Sequence, residues 1–365
     1  MRIAQVANFV SPTSGGLRRA VDKLGRGYVR AGHERLLIIP GPNDMVTSTP
    51  DVGTIVSIAS PALTSGYRMI TNMSKVRQAL TRFQPTNLEV SDKWTMSGAG
   101  LWAKHRTVPA VLFSHERLDD MASLYLELEV SGQVHWLNRR LAKIYDRVVV
   151  STRYSAGEWI HTTANLVVQP LGVDLDEFQP QSGARENGKT LRLVYSGRLS
   201  REKSPHVVVA TAVELDRRGI DVQLNVYGTG PAVEELRTLA GAAPVFFHGY
   251  LDSRESLGEA YRASDITMSV CPAETFGLAV LESLACGTPV VTADRGGARE
   301  LVDNSCAEWA SPDPVFLADA VLRMAQRLKS DEQGIRRASR TCAEKFPWDQ
   351  AITGMLNVHQ ELCDR

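Results

Sequence analysis

The sequence has no long apolar run; nowhere does it offer the ~20 consecutive apolar residues that cross a bilayer. It has no surplus of either charge, 41 Lys and Arg standing against 41 Asp and Glu. No global field therefore recruits nucleic acid, and an anionic ligand needs a local basic site. Cysteine is sparse. Cys271, Cys286, Cys306, Cys342 and Cys363 are odd in number and form no C-x-x-C spacing. That argues against a disulfide framework or a zinc site and for reduced, mostly buried thiols. Two phosphate-binding patterns are also missing. Gly228-Thr229-Gly230 follows a strand pattern, but Val233 holds the third glycine position of G-x-G-x-x-G, and no P-loop surrounds Lys203. The first residues, Arg2-Ile3-Ala4-Gln5-Val6-Ala7, read as a strand and not as a signal peptide, so a cytoplasmic location is expected, with peripheral membrane contact left open.

What is present is a soluble α/β composition, 43% hydrophobic and 22% charged over 365 residues, enough for two domains. Short apolar runs alternate with segments of helical period, the mark of parallel βαβ units. After the first strand, a helix carries Val21, Leu24 and Tyr28, Gly32 stops it, and Leu36-Leu37-Ile38-Ile39 is the next strand. Further strands are expected at 111–113 and 147–150, with a helix bearing Trp136, Leu137, Leu141 and Ile144 before the latter. The polar stretch 179–189, with Pro180, Gly183 and Gly188, reads as a linker. A second series of strands follows at 193–195, 222–226, 245–247, 266–270 and 290–291, and the last ~50 residues are helical by periodicity. The expected architecture is two doubly wound α/β domains, residues 1–170 and 171–345, with a final helical segment at 346–365. Ligands of such sheets sit at the carboxyl ends of strands, and the cleft between two facing domains is the natural site.

The most informative segment is Pro272-Ala273-Glu274-Thr275-Phe276-Gly277-Leu278-Ala279-Val280-Leu281-Glu282-Ser283-Leu284-Ala285-Cys286-Gly287-Thr288-Pro289. It follows a buried strand and becomes a helix near Phe276, so Glu274 precedes the helix and Glu282 lies about two turns into it. The helix amino terminus offers N–H groups and a positive dipole end to a diphosphate. Taken singly, each glutamate reads as a solvated surface charge.

The two glutamates in this Phe-Gly and Gly-Thr-Pro frame resemble the E-x7-E motif of family 4 glycosyltransferases, retaining enzymes of the GT-B fold. Elements similar to that family's recur in order along the chain: Ser14-Gly15-Gly16, Pro170-Leu171-Gly172-Val173-Asp174, Gly197-Arg198-Leu199 with Glu202-Lys203, Gly228-Thr229-Gly230-Pro231, Gly296-Gly297-Ala298-Arg299-Glu300 and Phe346-Pro347-Trp348. The resemblance implies two Rossmann-like domains facing a cleft, the first on the acceptor side and the second binding a nucleotide-sugar donor. It also implies that the C-terminal helix crosses back to the first. It implies that Glu274 holds hydroxyls of the donor sugar beside the backbone of Phe276, Gly277 and Leu278, and that Glu282 accepts from the ribose. Arg198 and Lys203 would clamp the diphosphate as its charge develops.

Gly15 and Gly16, after the first strand, would let backbone N–H groups approach phosphate or sugar. His115, just past a strand end, would lie near the reacting sugar. Asp92 is an acceptor-side candidate. No cofactor and no metal is implied, the Asp119-Asp120 pair reading as a surface pair. The resemblance implies a GDP-, UDP- or ADP-sugar as donor and a small molecule, glycan or lipid as acceptor. The segment 302–309 lacks the family's usual glycines, which leaves its loop undefined. Rival readings are a GT-B sugar-nucleotide epimerase, a phosphorylase without a visible pyridoxal lysine, and a sugar-nucleotide-binding protein without catalysis.

Overall fold

The structure is a computed structural model and describes residues 1–8, 15–63, 67–126, 130–181 and 190–364. Ser14 of the first loop, and Gly183 and Gly188 of the polar stretch, lie outside these residues. The chain divides into two compact units, one of Met1–Leu171 with Trp348–Arg365, the other of Gly172–Pro347.

The first unit runs through β1 (Arg2–Val6), α1 (Gly16–Arg30), β2 (Glu34–Gly41), β3 (Met45–Thr49), β4 (Gly53–Ala59), α2 (Met73–Phe83), β5 (Asn87–Val90), α3 (Ser97–His105), β6 (Ala110–Ser114), α4 (Leu118–Leu126), α5 (Ser131–Leu141), β7 (Arg147–Val150), α6 (Arg153–Ala156) and β8 (Leu166–Val168). Its eight strands stand in the order β3-β4-β2-β1-β5-β6-β7-β8. Among the described strands only β3 runs antiparallel to its neighbour. β5, β6 and β7 are buried along their whole length, as strands covered on both faces must be, which explains their unbroken apolar runs. Periodicity had not marked β3, β4 and β8. β3 is exposed at every residue and forms only the sheet's edge, so it lacks the apolar signature. The helix expected to carry Ile144 ends at Leu141, and its Trp136 is 53% exposed, with Val134, Asn138 and Leu141 supplying the inner face.

The second unit contains β9 (Leu191–Ser196), α7 (Pro205–Arg217), β10 (Val222–Tyr227), α8 (Val233–Ala240), β11 (Val245–Gly249), α9 (Arg254–Arg262), β12 (Ile266–Ser269), α10 (Leu278–Ala285), β13 (Val290–Ala293), α11 (Gly297–Glu300), β14 (Ala307–Ala310) and α12 (Pro314–Ala343). All its strands are parallel, in the order β11-β10-β9-β12-β13-β14. This is the doubly wound order, which reverses between β9 and β12 and so opens a crevice at their carboxyl ends. The segment 302–309 contributes β14, pairing with β13.

The last helix, α13 (Trp348–Cys363), belongs to the first unit and packs on α1. A Cβ at Gly27 of α1 would stand 2.5 Å from Ile352, so glycine is what permits that approach. Deeper in, the buried Glu89 of β5 accepts from Gln5 (2.8 Å) and Tyr28 (2.8 Å) and meets His359 Nε2 of α13 at 3.1 Å. None of the five cysteines is disulfide-bonded; four are buried and Cys363 is exposed.

Candidate functional site

In the second unit the two loops flanking the strand-order reversal carry the expected donor-site residues. The loop after β9 holds Arg198 and ends in a 3-10 turn, Arg201–Lys203, before Pro205 opens α7. The loop after β12 holds Glu274. Gly277, with φ +102°, breaks the chain into the left-handed region, so α10 begins at Leu278, two residues past Phe276. Glu282 is then its fifth residue, little more than one turn in.

The two loops meet through charge. Lys203 Nζ donates to Glu274 Oε2 at 2.8 Å. The Glu274 carboxylate also accepts from the backbone N–H groups of Phe276 and Thr275. Burial pushes this carboxyl up, but the Lys203 ammonium and those N–H groups outweigh it, leaving Glu274 below its ordinary range. The converse holds for Lys203: burial pushes it down, and Glu274 with Cys271 brings it above the usual lysine value. Arg198 lies 3.6 Å from the carboxylate of Glu202, and its carbonyl accepts from Tyr195 Oη at 3.1 Å.

Gly228-Thr229-Gly230, which fails the dinucleotide pattern, has a packing role here. Gly197 N–H donates to Tyr227 and Leu199 N–H to Thr229, both at 3.0 Å. A Cβ at Gly228 would lie 1.9 Å from the Gly197 carbonyl oxygen, and one at Gly230 2.2 Å from that of Leu199. These glycines therefore form the seat of the Arg198 loop. Gly297 does the same for the Glu274 loop: its N–H donates to the Glu274 carbonyl at 2.5 Å, and a Cβ there would meet the Thr275 carbonyl at 2.2 Å. Glu282 is buried, with the Arg254 guanidinium 3.7 Å away. Arg254 also pairs with Glu177 and lies over the Phe178 ring at 4.5 Å. No motif marked Arg254 in the sequence, because its partners come from remote segments.

The other candidates belong to the first unit, at the carboxyl ends of β1, β5 and β6. Gly15 and Gly16 open α1. Asp92 is buried, and its Oδ1 accepts from the N–H groups of Trp94 (2.8 Å) and Thr95 (3.1 Å), while Thr95 Oγ1 donates to Oδ2. It caps the turn after β5. His115 stacks on Phe113, ring centroids 4.1 Å apart. Burial, reinforced by the nearby Lys93 ammonium and opposed by Glu89, pushes His115 down to about 4, so its imidazole is neutral at neutral pH. Sequence reasoning missed the buried Lys93–Glu158 pair. Lys93 donates to the Glu116 carbonyl (2.8 Å) and Glu158 accepts from Leu118 N–H (2.8 Å), fixing the segment that bears His115. Asp119 and Asp120 are engaged by Arg117, at 3.0 and 3.7 Å, and are less exposed than a surface pair. Among the described residues no cluster of His, Cys, Asp or Glu is arranged to hold a metal ion, and no helix is long and apolar enough to cross a membrane.

Two Rossmann-like units, the second carrying a carboxylate–ammonium pair at its switch point, have the architecture of GT-B glycosyltransferases, enzymes that use a nucleotide-sugar donor. Residues 14–177 match the family described as Glycosyltransferase Family 4, and residues 190–327 match Glycosyl transferases group 1; the chain belongs to glycosyltransferase family 4. It is 37% identical, over 98% of its length and 95% of the relative's, to a GDP-mannose-dependent alpha-(1-6)-phosphatidylinositol dimannoside mannosyltransferase of Mycobacterium tuberculosis. Its fold matches sucrose-phosphate synthase from Thermosynechococcus elongatus with a TM-score of 0.81 at 20% identity, covering 99% and 98% of the two chains. Anabaena HepE in complex with UDP-glucose matches with a TM-score of 0.76 at 16% identity, covering 98% and 100%.

Proposed function

We propose that this enzyme transfers mannose from GDP-mannose, with retention of anomeric configuration, to a mannosylated phosphatidylinositol. The observation that carries the reading is the 37% identity, nearly end to end, with a mannosyltransferase of that donor and acceptor class.

The residues suit the chemistry. Arg198 and Lys203 would hold the diphosphate and neutralise the charge that develops on it as the sugar departs. Glu274, kept ionised by Lys203 and two N–H groups, would bind hydroxyls of the sugar, with Gly277 and Leu278 presenting the start of α10. Glu282, backed by Arg254, would accept from the ribose. Gly15 and Gly16 would approach the donor, with Asp92 on the acceptor side and neutral His115 near the sugar. Glu274 is assigned to the sugar's hydroxyls and not to the anomeric carbon. Attack then comes from the face the diphosphate leaves, and the departing phosphate oxygen takes the acceptor proton.

The test is incubation of the purified enzyme with GDP-mannose and phosphatidylinositol dimannoside in mixed micelles, with the product read by NMR. An α-linked mannoside is expected. A β linkage would overturn the stereochemistry, and transfer from UDP-glucose but not GDP-mannose would overturn the donor.

A further inference from the structure

The first unit carries a solvent-facing cavity of about 540 Å³ lined by Trp94, Gly132, Gln133, Trp136 and Leu137. Trp94 is 51% and Trp136 53% exposed. The inner face of α5 is already filled by Val134, Asn138 and Leu141, so Trp136 has no part in the core. At 100° per residue, Gly132, Gln133, Arg139 and Arg140 fall within about 60° of Trp136 on the outward face. The Arg140 guanidinium rests over the Trp136 ring at 4.9 Å. Neither α5 nor α3 contains an acidic residue. Lys104 Nζ donates to the Lys143 carbonyl at 2.6 Å, bringing the basic end of α3 beside the basic end of α5. Ile160, 75% exposed, precedes His161, whose ring meets His135 of α5 at 5.0 Å.

Half-exposed tryptophans beside a basic rim have the chemistry of a membrane–water interface: indole rings prefer the headgroup level, and Lys and Arg are drawn to anionic lipid. A second copy of the chain fits this face less well, because a two-fold contact would set the same arginines against each other. We propose that α5 and the Trp94 turn dock on an anionic lipid bilayer, with Trp94 and Trp136 entering the interface and Arg139, Arg140, Lys104 and Lys143 facing lipid phosphates. The inference rests on the lipid acceptor proposed above. It goes further by naming the docking face, which adjoins the end of β5, where Asp92 caps the turn carrying Trp94.

Flotation with phosphatidylcholine vesicles, with and without phosphatidylinositol, and tryptophan quenching by brominated acyl chains test it. Wild-type protein should bind the anionic vesicles and be quenched. Trp94→Phe with Trp136→Phe should remove most of the quenching, and Arg139→Glu with Arg140→Glu should weaken anionic binding by about 10-fold or more at unchanged thermal midpoint. Unquenched tryptophans, undiminished binding by the arginine variant, or a dimer that Trp136→Ser dissociates would each overturn the proposal. Transfer in micelles without vesicle binding would sink the docking face and leave the function standing. Quenched tryptophans without mannose transfer would do the reverse.

Discussion

Lys203 Nζ sits 2.8 Å from Glu274 Oε2, joining the loops after β9 and β12 across the reversal point of the second sheet. Each charge is the other's partner, so a diphosphate-sugar bound as proposed would divide them between phosphate and hydroxyls. Glu274→Gln should keep the shape, lower turnover by about 100-fold and leave the thermal midpoint nearly unchanged. Because the two groups act as one unit, Lys203→Ala combined with Glu274→Gln should cost less than the sum of the single losses, which a kinetic double-mutant cycle measures. Additive losses would mean that the pair does not act together.

Arg198→Ala should cost roughly 2–4 kcal/mol of transition-state stabilisation. Calorimetry should show a larger loss of affinity for GDP than for guanosine. Equal losses would remove Arg198 from the diphosphate.

Gly297→Ala places a methyl group against the Thr275 carbonyl, which a backbone atom cannot easily vacate. A destabilisation of about 1–3 kcal/mol is expected, together with a raised KM for the donor because the Glu274 loop must shift. Thermal unfolding and donor titration check the two effects separately.

Activity should persist in excess EDTA, since Arg198, Lys203 and the amino terminus of α10 supply positive charge where the diphosphate is proposed to bind. Complete loss, restored by magnesium or manganese, would contradict this.

Burial pushes Glu89 up, yet the His359 imidazole and the hydrogen bonds from Gln5 and Tyr28 bring it below its ordinary value. A depressed carboxyl stabilises the fold above the unfolded-state pKa near 4.3, and that contribution is lost as pH falls through the folded value. The thermal midpoint of wild type should therefore drop as the medium is made more acidic than about pH 4. Glu89→Gln should be less stable at neutral pH by about 3 kcal/mol, with a flatter acid limb.

The sequence alone determined the α/β class and five of the second sheet's six strands, because short runs rich in apolar and β-branched residues alternate with segments of helical period; β14, in the segment left undefined, appeared only in the fold. The resemblance to family 4 motifs singled out Glu274, Glu282, Arg198 and Lys203 as candidates, since the motifs that carry it are local frames of glycine and proline legible in the chain. The edge strand β3 left no trace, for one exposed on all its residues needs no apolar pattern. Whether Trp136 faced core or water was likewise undecided by period, as three other residues of α5 complete its inner face.

Only the tertiary structure revealed that Gly228 and Gly230 seat the Arg198 loop, that Gly297 presses on the Glu274 loop, and that Arg254 stands against Glu282. It also showed Asp92 to be a turn cap and Lys93–Glu158 to anchor the His115 segment. The reason is common to all of them. A local pattern records what a residue requires of its chain neighbours. A steric limit of 2 Å or a buried counter-charge is set by atoms that are distant in sequence and meet only when the sheet assembles.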